Sequence, residues 1–201
     1  MISITLLDPV HNFSSNTYLI GSCGEYAVID PSVPFSSSFI DGRLRYVLLT
    51  HAHFDHMLDI DSWASVPGAQ VIVSRYDAEA LRDPYRNCYA TFLGRHDGYF
   101  GDISTVDSGD SLPLGDEFID VISVPGHTQG SVIYKIGDDA FVGDLAFAGG
   151  GFGRADLPGG DFASLRDSLN LLSAMNESTV IYPGHGEETT VREFKNDYRI
   201  Y

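Results

Sequence analysis

The hydrophobic positions of this chain fall into short runs rich in valine, isoleucine, leucine, tyrosine and phenylalanine. Connections rich in glycine, proline, aspartate and serine separate them. Such runs predict β-strands, because β-branched and aromatic side chains favour an extended backbone and the connecting residues favour turns. The predicted strands are residues 2–7, 17–20, 26–30, 44–49, 71–73, 118–124, 131–136, 141–142 and 179–182.

Apolar residues at helical spacing are confined to a few segments. The predicted helices are residues 57–66, 77–81, 161–175 and part of the polar tail, 187–201. Asp77 is predicted to be the N-cap of the second of these helices. The segment 83–103 is irregular and rich in glycine and aromatic residues. Long irregular segments are usually functional or mobile, so this one is predicted either to cover a functional site or to fill space against the core.

The composition is that of a folded protein. The chain has 201 residues, of which 43% are hydrophobic, and it contains 12 Phe and 11 Tyr. A chain of this length can bury a substantial core, and so many aromatic residues argue against disorder. We therefore expect one domain over residues 1–201.

The formal net charge of −16 argues against a nucleic-acid partner, because an acidic surface repels phosphate and the arginines are scattered. Cys23 and Cys88 are far apart and form no Cys-x-x-Cys pair, which fits a reducing compartment. The N-terminus lacks the pattern of a secretory signal, and no apolar run is long enough to span a bilayer. We expect a cytoplasmic protein that does not bind membranes.

The richest chemistry lies in His51-Ala52-His53-Phe54-Asp55-His56, directly after the predicted strand 44–49. If the backbone stays extended, His51, His53 and Asp55 share one side, because strand side chains alternate. A turn then adds His56. Imidazole and carboxylate groups suit Zn²⁺ or Fe²⁺. A polar loop with surface histidines is the alternative, and so dense a cluster disfavours it.

Three further predicted strands end in a glycine followed by a ligand-type residue: His127, Asp144 and His185. Taken singly, either histidine could belong to a turn, and Asp144 could be a turn or N-cap aspartate. Together with the first motif they give too many ligands for one tetrahedral ion. They suit two ions that share a carboxylate. His11 stands alone in a polar loop and is expected at the surface.

These motifs resemble the metallo-β-lactamase superfamily in order and spacing over nearly the whole chain, and most strongly the short form of glyoxalase II, the hydroxyacylglutathione hydrolases. The motifs are Thr50-His51-x-His53-x-Asp55-His56, Pro125-Gly126-His127-Thr128, Gly143-Asp144 and Tyr182-Pro183-Gly184-His185-Gly186. The resemblance implies an α/β fold, the αββα four-layer sandwich, with the metals at one edge. It also implies that His51, His53 and His127 hold a first metal and that Asp55, His56 and His185 hold a second. Asp144 is implied to bridge the two.

The activity that the resemblance implies is hydrolysis of a thioester such as an S-acylglutathione, by water activated between two divalent ions. Zinc is the first expectation, and iron, manganese or a mixed iron–zinc pair are alternatives. Asp55 and Asp144 are the expected catalytic residues, Asp55 by orienting the water and Asp144 by bridging the ions.

The predicted substrate is a small acidic thioester. Arg154, in a loop that resembles the family's glycine-containing loop, is expected to bind a substrate carboxylate. The alternative for Arg154 is an ion pair with Asp156 or Asp161. Tyr182 is expected to line the pocket. Two departures weaken the glutathione assignment: the chain shows no C-terminal helical domain of glyoxalase II, and Glu187 replaces a family tyrosine.

A second function remains open, because persulfide dioxygenases resemble the same short form. They use one Fe²⁺ at the equivalents of His51, His127 and Asp144. Hydrolysis is favoured because residues 157–161 look more like those of the short hydrolases. A metal-retaining protein without catalysis is a third reading, which the full ligand set disfavours. The aromatic tail and the 83–103 segment would suit a homo-oligomer, and internal packing explains them equally.

Overall fold

Two six-stranded sheets form the centre of the fold in the computed structural model, which describes residues 2–198. The first sheet follows sequence order, antiparallel from β1 to β3 and parallel from β3 to β6. Its strands are β1 (Ser3–Leu7), β2 (Thr17–Ser22), β3 (Glu25–Ile29), β4 (Arg43–Leu48), β5 (Gln70–Ser74) and β6 (Ser104–Val106).

The second sheet has the spatial order β12-β11-β10-β9-β8-β7. Its neighbours are antiparallel except for the parallel pair β10 and β11. Its strands are β7 (Ser111–Leu114), β8 (Glu117–Ser123), β9 (Val132–Ile136), β10 (Asp139–Gly143), β11 (Val180–Pro183) and β12 (Thr189–Thr190).

Three buried clusters separate four layers of structure, because alternate strand side chains point to opposite faces. The helices are α1 (Ile60–Ala64), α2 (Tyr89–Leu93), α3 (Phe162–Ser173) and α4 (Val191–Asp197). Trp63 of α1 is buried with residues of the first sheet, and Leu169 of α3 with residues of the second. Between the sheets, Tyr18 meets Phe141 edge-on with ring centroids 5.3 Å apart. The predicted αββα sandwich is therefore confirmed.

The predicted helix at 77–81 is wrong, because Asp77 bonds to distant segments instead of capping a helix. Its Oδ2 accepts hydrogen bonds from the backbone N of Ala52 at 3.0 Å and from Thr128 Oγ1 at 2.7 Å. Its Oδ1 accepts from the backbone N of Gly130 at 2.9 Å. Residues 75–79 form turns and a short 3₁₀ helix follows at Ala80–Arg82. Asp77 thereby joins the loop after β4 to the loop after β8.

Other boundaries differ in smaller ways. The predicted helix 161–175 is confirmed as α3, with Asp161 as its N-cap accepting from Ser164 N at 2.8 Å. The sequence did not predict β6, β7 or α2. The predicted helical tail contains β12 and α4, and its residues 199–201 lie outside the described part of the chain. Within residues 2–198, every helix is too short or too polar to cross a membrane.

Candidate metal centre

The loops that carry the predicted ligands leave strands of both sheets and meet at one edge of the sandwich. The His51–His56 motif follows β4 in the first sheet, and the other three residues follow β8, β10 and β11 in the second. Their ligand atoms form three groups within 4.8 Å, which are His51, His53 and His127; His51, His56 and Asp144; and Asp55, His56 and His185. The structure thus brings all seven predicted residues together, and every group draws on both sheets.

Asp30, directly after β3, fixes the ring of His56. Its Oδ2 accepts a hydrogen bond from His56 Nδ1 at 2.8 Å. Its two oxygens also accept from the backbone N and the hydroxyl of Thr50, at 2.8 and 2.7 Å. Because Nδ1 donates to Asp30, Nε2 is the nitrogen of His56 left to bind a metal, and it faces Asp144 Oδ1 at 3.3 Å. A carboxylate behind a histidine is a common partner of metal-ligating imidazoles. Sequence reasoning missed Asp30, although it ends a predicted strand.

Two other rings are oriented in the same way. His127 Nδ1 lies 2.6 Å from the backbone oxygen of Arg154, and His51 Nδ1 lies 3.1 Å from Thr50 Oγ1. Their Nε2 atoms are therefore the ones directed into the centre. His53 presents its Nδ1 instead, 2.9 Å from His127 Nε2. The three rings of this group lie nearly at right angles to one another, with interplanar angles of 81°, 84° and 89°, and their ligand nitrogens lie within 4.8 Å of one another, as ligands of one ion do.

The unsatisfied polar atoms show that cations fit this site. Six buried side-chain nitrogen or oxygen atoms within residues 2–198 lack a hydrogen-bond partner. Three of them face the centre, namely His51 Nε2, His56 Nε2 and Asp144 Oδ1, whereas His53 Nε2 belongs to a ring that presents its other nitrogen. An unpaired buried polar atom costs free energy, which metal coordination would offset. Imidazole nitrogens and carboxylate oxygens are common ligands of Zn²⁺ and Fe²⁺.

Burial also prepares the histidines electrostatically. Burial, with the neighbouring imidazoles, lowers the pKa of His51 well below its ordinary value. Burial and His127 lower the pKa of His53 to about 3. Both rings are neutral at pH 7, as metal ligands must be. Burial opposes protonation of His56 as well, but Asp30 and two further carboxylates raise its pKa well above the ordinary value. The same negative charge attracts cations.

The Asp55 side of the centre opens to solvent. Asp55 Oδ2 lies 3.1 Å from His185 Nε2, and the two side chains are 19% and 40% exposed. The loop carrying His185 approaches closely: a Cβ on Gly184 would collide with the Asp144 carboxylate. Glycine is therefore required there, and the open side is where a substrate can reach the ligands.

A family model described as the metallo-beta-lactamase superfamily matches residues 12–185. The chain belongs to the metallo-β-lactamase superfamily. Members of this superfamily are hydrolases that bind divalent metals, and the histidine-rich groups described above are where this chain offers such a site.

Two relatives in the superfamily are similar over most of their length. The probable metallo-hydrolase YqgX of Bacillus subtilis is 32% identical over 193 residues, covering 91% of this chain and 90% of the relative. The hydroxyacylglutathione hydrolase GloC of Haemophilus influenzae is 28% identical over 205 residues, covering 93% of this chain and 92% of the relative. The predicted glyoxalase II-like branch is loosely supported by the second relative.

Solved structures of superfamily members share the fold. The BLEG-1 B3 metallo-β-lactamase has a TM-score of 0.86 and 28% identity, covering 98% of this chain and 97% of its own. TTHA1623, solved in a di-iron-bound form, has a TM-score of 0.82 and 26% identity, covering 96% and 98%. ETHE1 from Myxococcus xanthus has a TM-score of 0.75 and 26% identity, covering 97% and 82%.

In the present chain, a cleft of about 520 Å³ opens over the predicted metal ligands. Arg154, the predicted substrate-binding residue, lies in its lining and forms the ion pair that was its alternative role. Its Nε and Nη2 donate to the two carboxylate oxygens of Asp156, both at 2.6 Å. The 83–103 segment contributes Cys88 and Phe92 to the cleft, so it covers part of the site.

Tyr182 does not line this cleft, contrary to the prediction. Its ring stacks on Phe141 between the sheets, with centroids 4.8 Å apart. Its hydroxyl donates to Asp139 Oδ1 at 3.2 Å. Asp139 starts β10, whereas Asp144 follows the end of that strand, so the tyrosine hydroxyl points away from the centre.

Asn16 is another residue that sequence reasoning missed. Its side-chain Nδ2 donates to the backbone oxygens of Pro183 and Gly186, at 3.0 and 2.9 Å. The backbone N of the preceding residue, Ser15, donates to the oxygen of Asp55 at 3.0 Å. This short loop therefore connects the Asp55 loop to the His185 loop. Its polar composition resembles that of any connection, which is why it gave no signal.

Proposed function

We propose that this chain is a two-metal hydrolase that cleaves a small acidic thioester, such as an S-acylglutathione. The proposal rests on the overlap of the three ligand groups, because the group of His51, His56 and Asp144 shares one histidine with each of the other two. One group holds His51, His53 and His127, another holds Asp55, His56 and His185. Asp144 lies near members of both, with oxygens 3.6 Å from His127 Nε2 and 3.7 Å from His185 Nε2. Such an arrangement suits two ions bridged by one carboxylate.

A pair of divalent ions held by these residues would supply a Lewis acid for the thioester carbonyl and a water whose pKa is lowered toward about 7. Zinc is the first choice, with iron, manganese or an iron–zinc pair as alternatives. Asp55, at the open side, would accept a hydrogen bond from the attacking water and so orient it. Asp144 keeps its negative charge, because the neighbouring histidines hold the pKa of its carboxyl below the ordinary value despite burial. The leaving thiolate needs no strong acid, since thiols ionise near pH 8.5.

The thioester class is supported by the GloC relative, a hydroxyacylglutathione hydrolase. Arg154 supports an acidic substrate, because a guanidinium matches a carboxylate with two parallel hydrogen bonds. Its present partner, Asp156, is exposed, and a substrate carboxylate can exchange with it.

Persulfide oxygenation is the second candidate. It is favoured by the likeness to ETHE1 and by the Gly-x-Gly-Arg-x-Asp sequence at 151–156. A single Fe²⁺ would then use His51, His127 and Asp144 and leave Asp55, His56 and His185 without an ion. That reading gives the second ligand group no role.

One experiment separates these functions. The metal content of the purified protein is measured by mass spectrometry, and the same sample is assayed on S-lactoylglutathione, glutathione persulfide and a cephalosporin. Two ions per chain with thioester cleavage supports the proposal. One iron with oxygen uptake on the persulfide contradicts it, and efficient cleavage of the cephalosporin alone would assign the chain to lactam hydrolysis.

Replacing Arg154 by Ala is expected to raise KM for S-lactoylglutathione severalfold with kcat unchanged, because a solvent-exposed charge pair contributes only weakly to binding. Main-chain contacts remain, since His127 bonds to the backbone oxygen of residue 154. Steady-state kinetics measure the change. The matched control is Arg166→Ala, an equally exposed arginine paired with Asp167. An equal change in KM on a thioester without carboxylates would show that Arg154 does not bind the acidic group.

A further inference from the structure

One side of the cleft is a continuous aromatic wall formed by Phe13, Phe54 and Phe92. Phe54 lies 6.5 Å from Phe13 and 5.9 Å from Phe92, measured between ring centroids. Phe54 is buried, and its neighbours in the sequence are the predicted ligands His53 and Asp55. The wall therefore starts at the metal centre itself.

The two outer members of the wall are exposed to solvent. Phe13 is 59% exposed and Phe92 is 48% exposed, and both face the cleft. Large apolar side chains that line a cleft and meet water commonly mark a binding surface. Burying them against an apolar group would be favourable, whereas a polar group placed there would lose hydrogen bonds to water.

The rest of the lining offers few polar partners. Apart from the metal ligands, Arg154 is the one charged side chain among the described lining residues. Asn12 and Ser14 add polar side chains, while Phe147, Phe152 and Leu157 extend the apolar lining. A substrate bound here therefore has one acidic end and a large apolar part.

We propose that the acyl half of the substrate is an apolar chain that lies along the Phe13–Phe54–Phe92 wall, while the thiol half carries the carboxylate for Arg154. This inference rests on the proposed thioesterase function and adds the substrate class. With its carbonyl at the metal centre, a thioester places the first carbons of its acyl group next to Phe54. A short hydroxylated acyl group would leave Phe13 and Phe92 in water.

The test uses the metal-loaded enzyme and a series of S-acylglutathiones with acetyl, butanoyl, hexanoyl and octanoyl groups, which share one thiol. We expect kcat/KM to rise about twofold per methylene. This corresponds to half the transfer free energy of a completely buried methylene, because the wall is open to solvent. Binding of non-hydrolysable S-alkylglutathiones, followed by calorimetry, should show the same dependence without turnover.

Variants locate the effect. Phe13→Ala and Phe92→Ala are expected to flatten the dependence on chain length, so that kcat/KM falls more for the octanoyl substrate than for the acetyl substrate. The control is Phe100→Ala, because Phe100 is 68% exposed and does not line the cleft. Phe54 is left unchanged, since its burial makes a loss of folding an expected side effect.

The outcomes are distinguishable. A flat or falling series in an enzyme that cleaves S-acetylglutathione overturns the apolar acyl site but leaves the thioesterase intact. A rising series that survives in the Phe13→Ala, Phe92→Ala double variant overturns the location on this wall. If no member of the series is cleaved by protein holding two ions, the proposed function fails and the acyl site fails with it.

Discussion

Replacing Asp144 by Ala is expected to lower thioester hydrolysis by at least about a thousandfold and to reduce the metal content below two ions per chain. Asp144 lies within 3.3 to 3.7 Å of nitrogens of His56, His127 and His185, so its carboxylate neutralises charge for both proposed sites. Loss of a ligand is expected to lower activity by more than the ten- to hundredfold loss that is typical when a residue hydrogen-bonded to a ligand is replaced. Mass spectrometry of bound metal and steady-state kinetics on one preparation measure both changes.

The matched control is Asp139→Ala, at the other end of the same strand, β10. Asp139 bonds to the Tyr182 hydroxyl and not to the centre. It should keep both ions and the hydrolytic rate. Full metal content and a near-normal rate in the Asp144→Ala protein would refute the bridging role.

Replacing Asp30 by Ala is expected to lower the free energy of unfolding by about 3 kcal/mol and to weaken the site of His56 ten- to hundredfold. Three buried hydrogen bonds are lost, from the backbone and hydroxyl of Thr50 and from His56 Nδ1. Asp30 also has a φ of +53°, which aspartate tolerates better than alanine. A fall in Tm of about 6 to 12 °C follows for a protein of this size.

The isosteric variant Asp30→Asn separates stability from metal binding. Asparagine keeps the shape, tolerates the same backbone conformation and can still accept from Thr50 N. In the orientation that keeps this bond, an amide NH2 group takes the place of Oδ2, the oxygen that accepts from His56 Nδ1. An NH2 group cannot accept a hydrogen bond, so the bond to His56 is lost. We therefore expect a smaller fall in Tm with a persistent loss of metal affinity. Wild-type affinity for both ions in this variant would show that Asp30 acts on stability alone.

The strands that carry the ligands were predictable because each combines a short apolar run with a distinctive end. The run before His51 is almost wholly buried as β4, and a Pro-Gly-His sequence follows β8 and begins at the last residue of β11. By contrast, β6 and β7 are three and four residues long, contain serine and, in β7, Pro113, and resemble loop sequence. Helix α2 starts after Cys88 at a φ of +68°, which no local pattern indicated.

Residues that act across the fold were the ones missed or misassigned. Asp77 has the sequence context of an N-cap, but its partners are Ala52, Thr128 and Gly130, far away along the chain. Tyr182 is next to a ligand motif, yet strand alternation turns it between the sheets, while its neighbour Ile181 is buried on the outer face of the second sheet. Such partners depend on which strands become neighbours, and local spacing carries little of that information.

Every ligand group takes members from both sheets, so the proposed ions would act as crosslinks between the two halves of the sandwich. Binding free energy is then also folding free energy. The amount of this protein that survives in a cell would depend on the supply of divalent metal, and shortage would remove the enzyme as well as its activity.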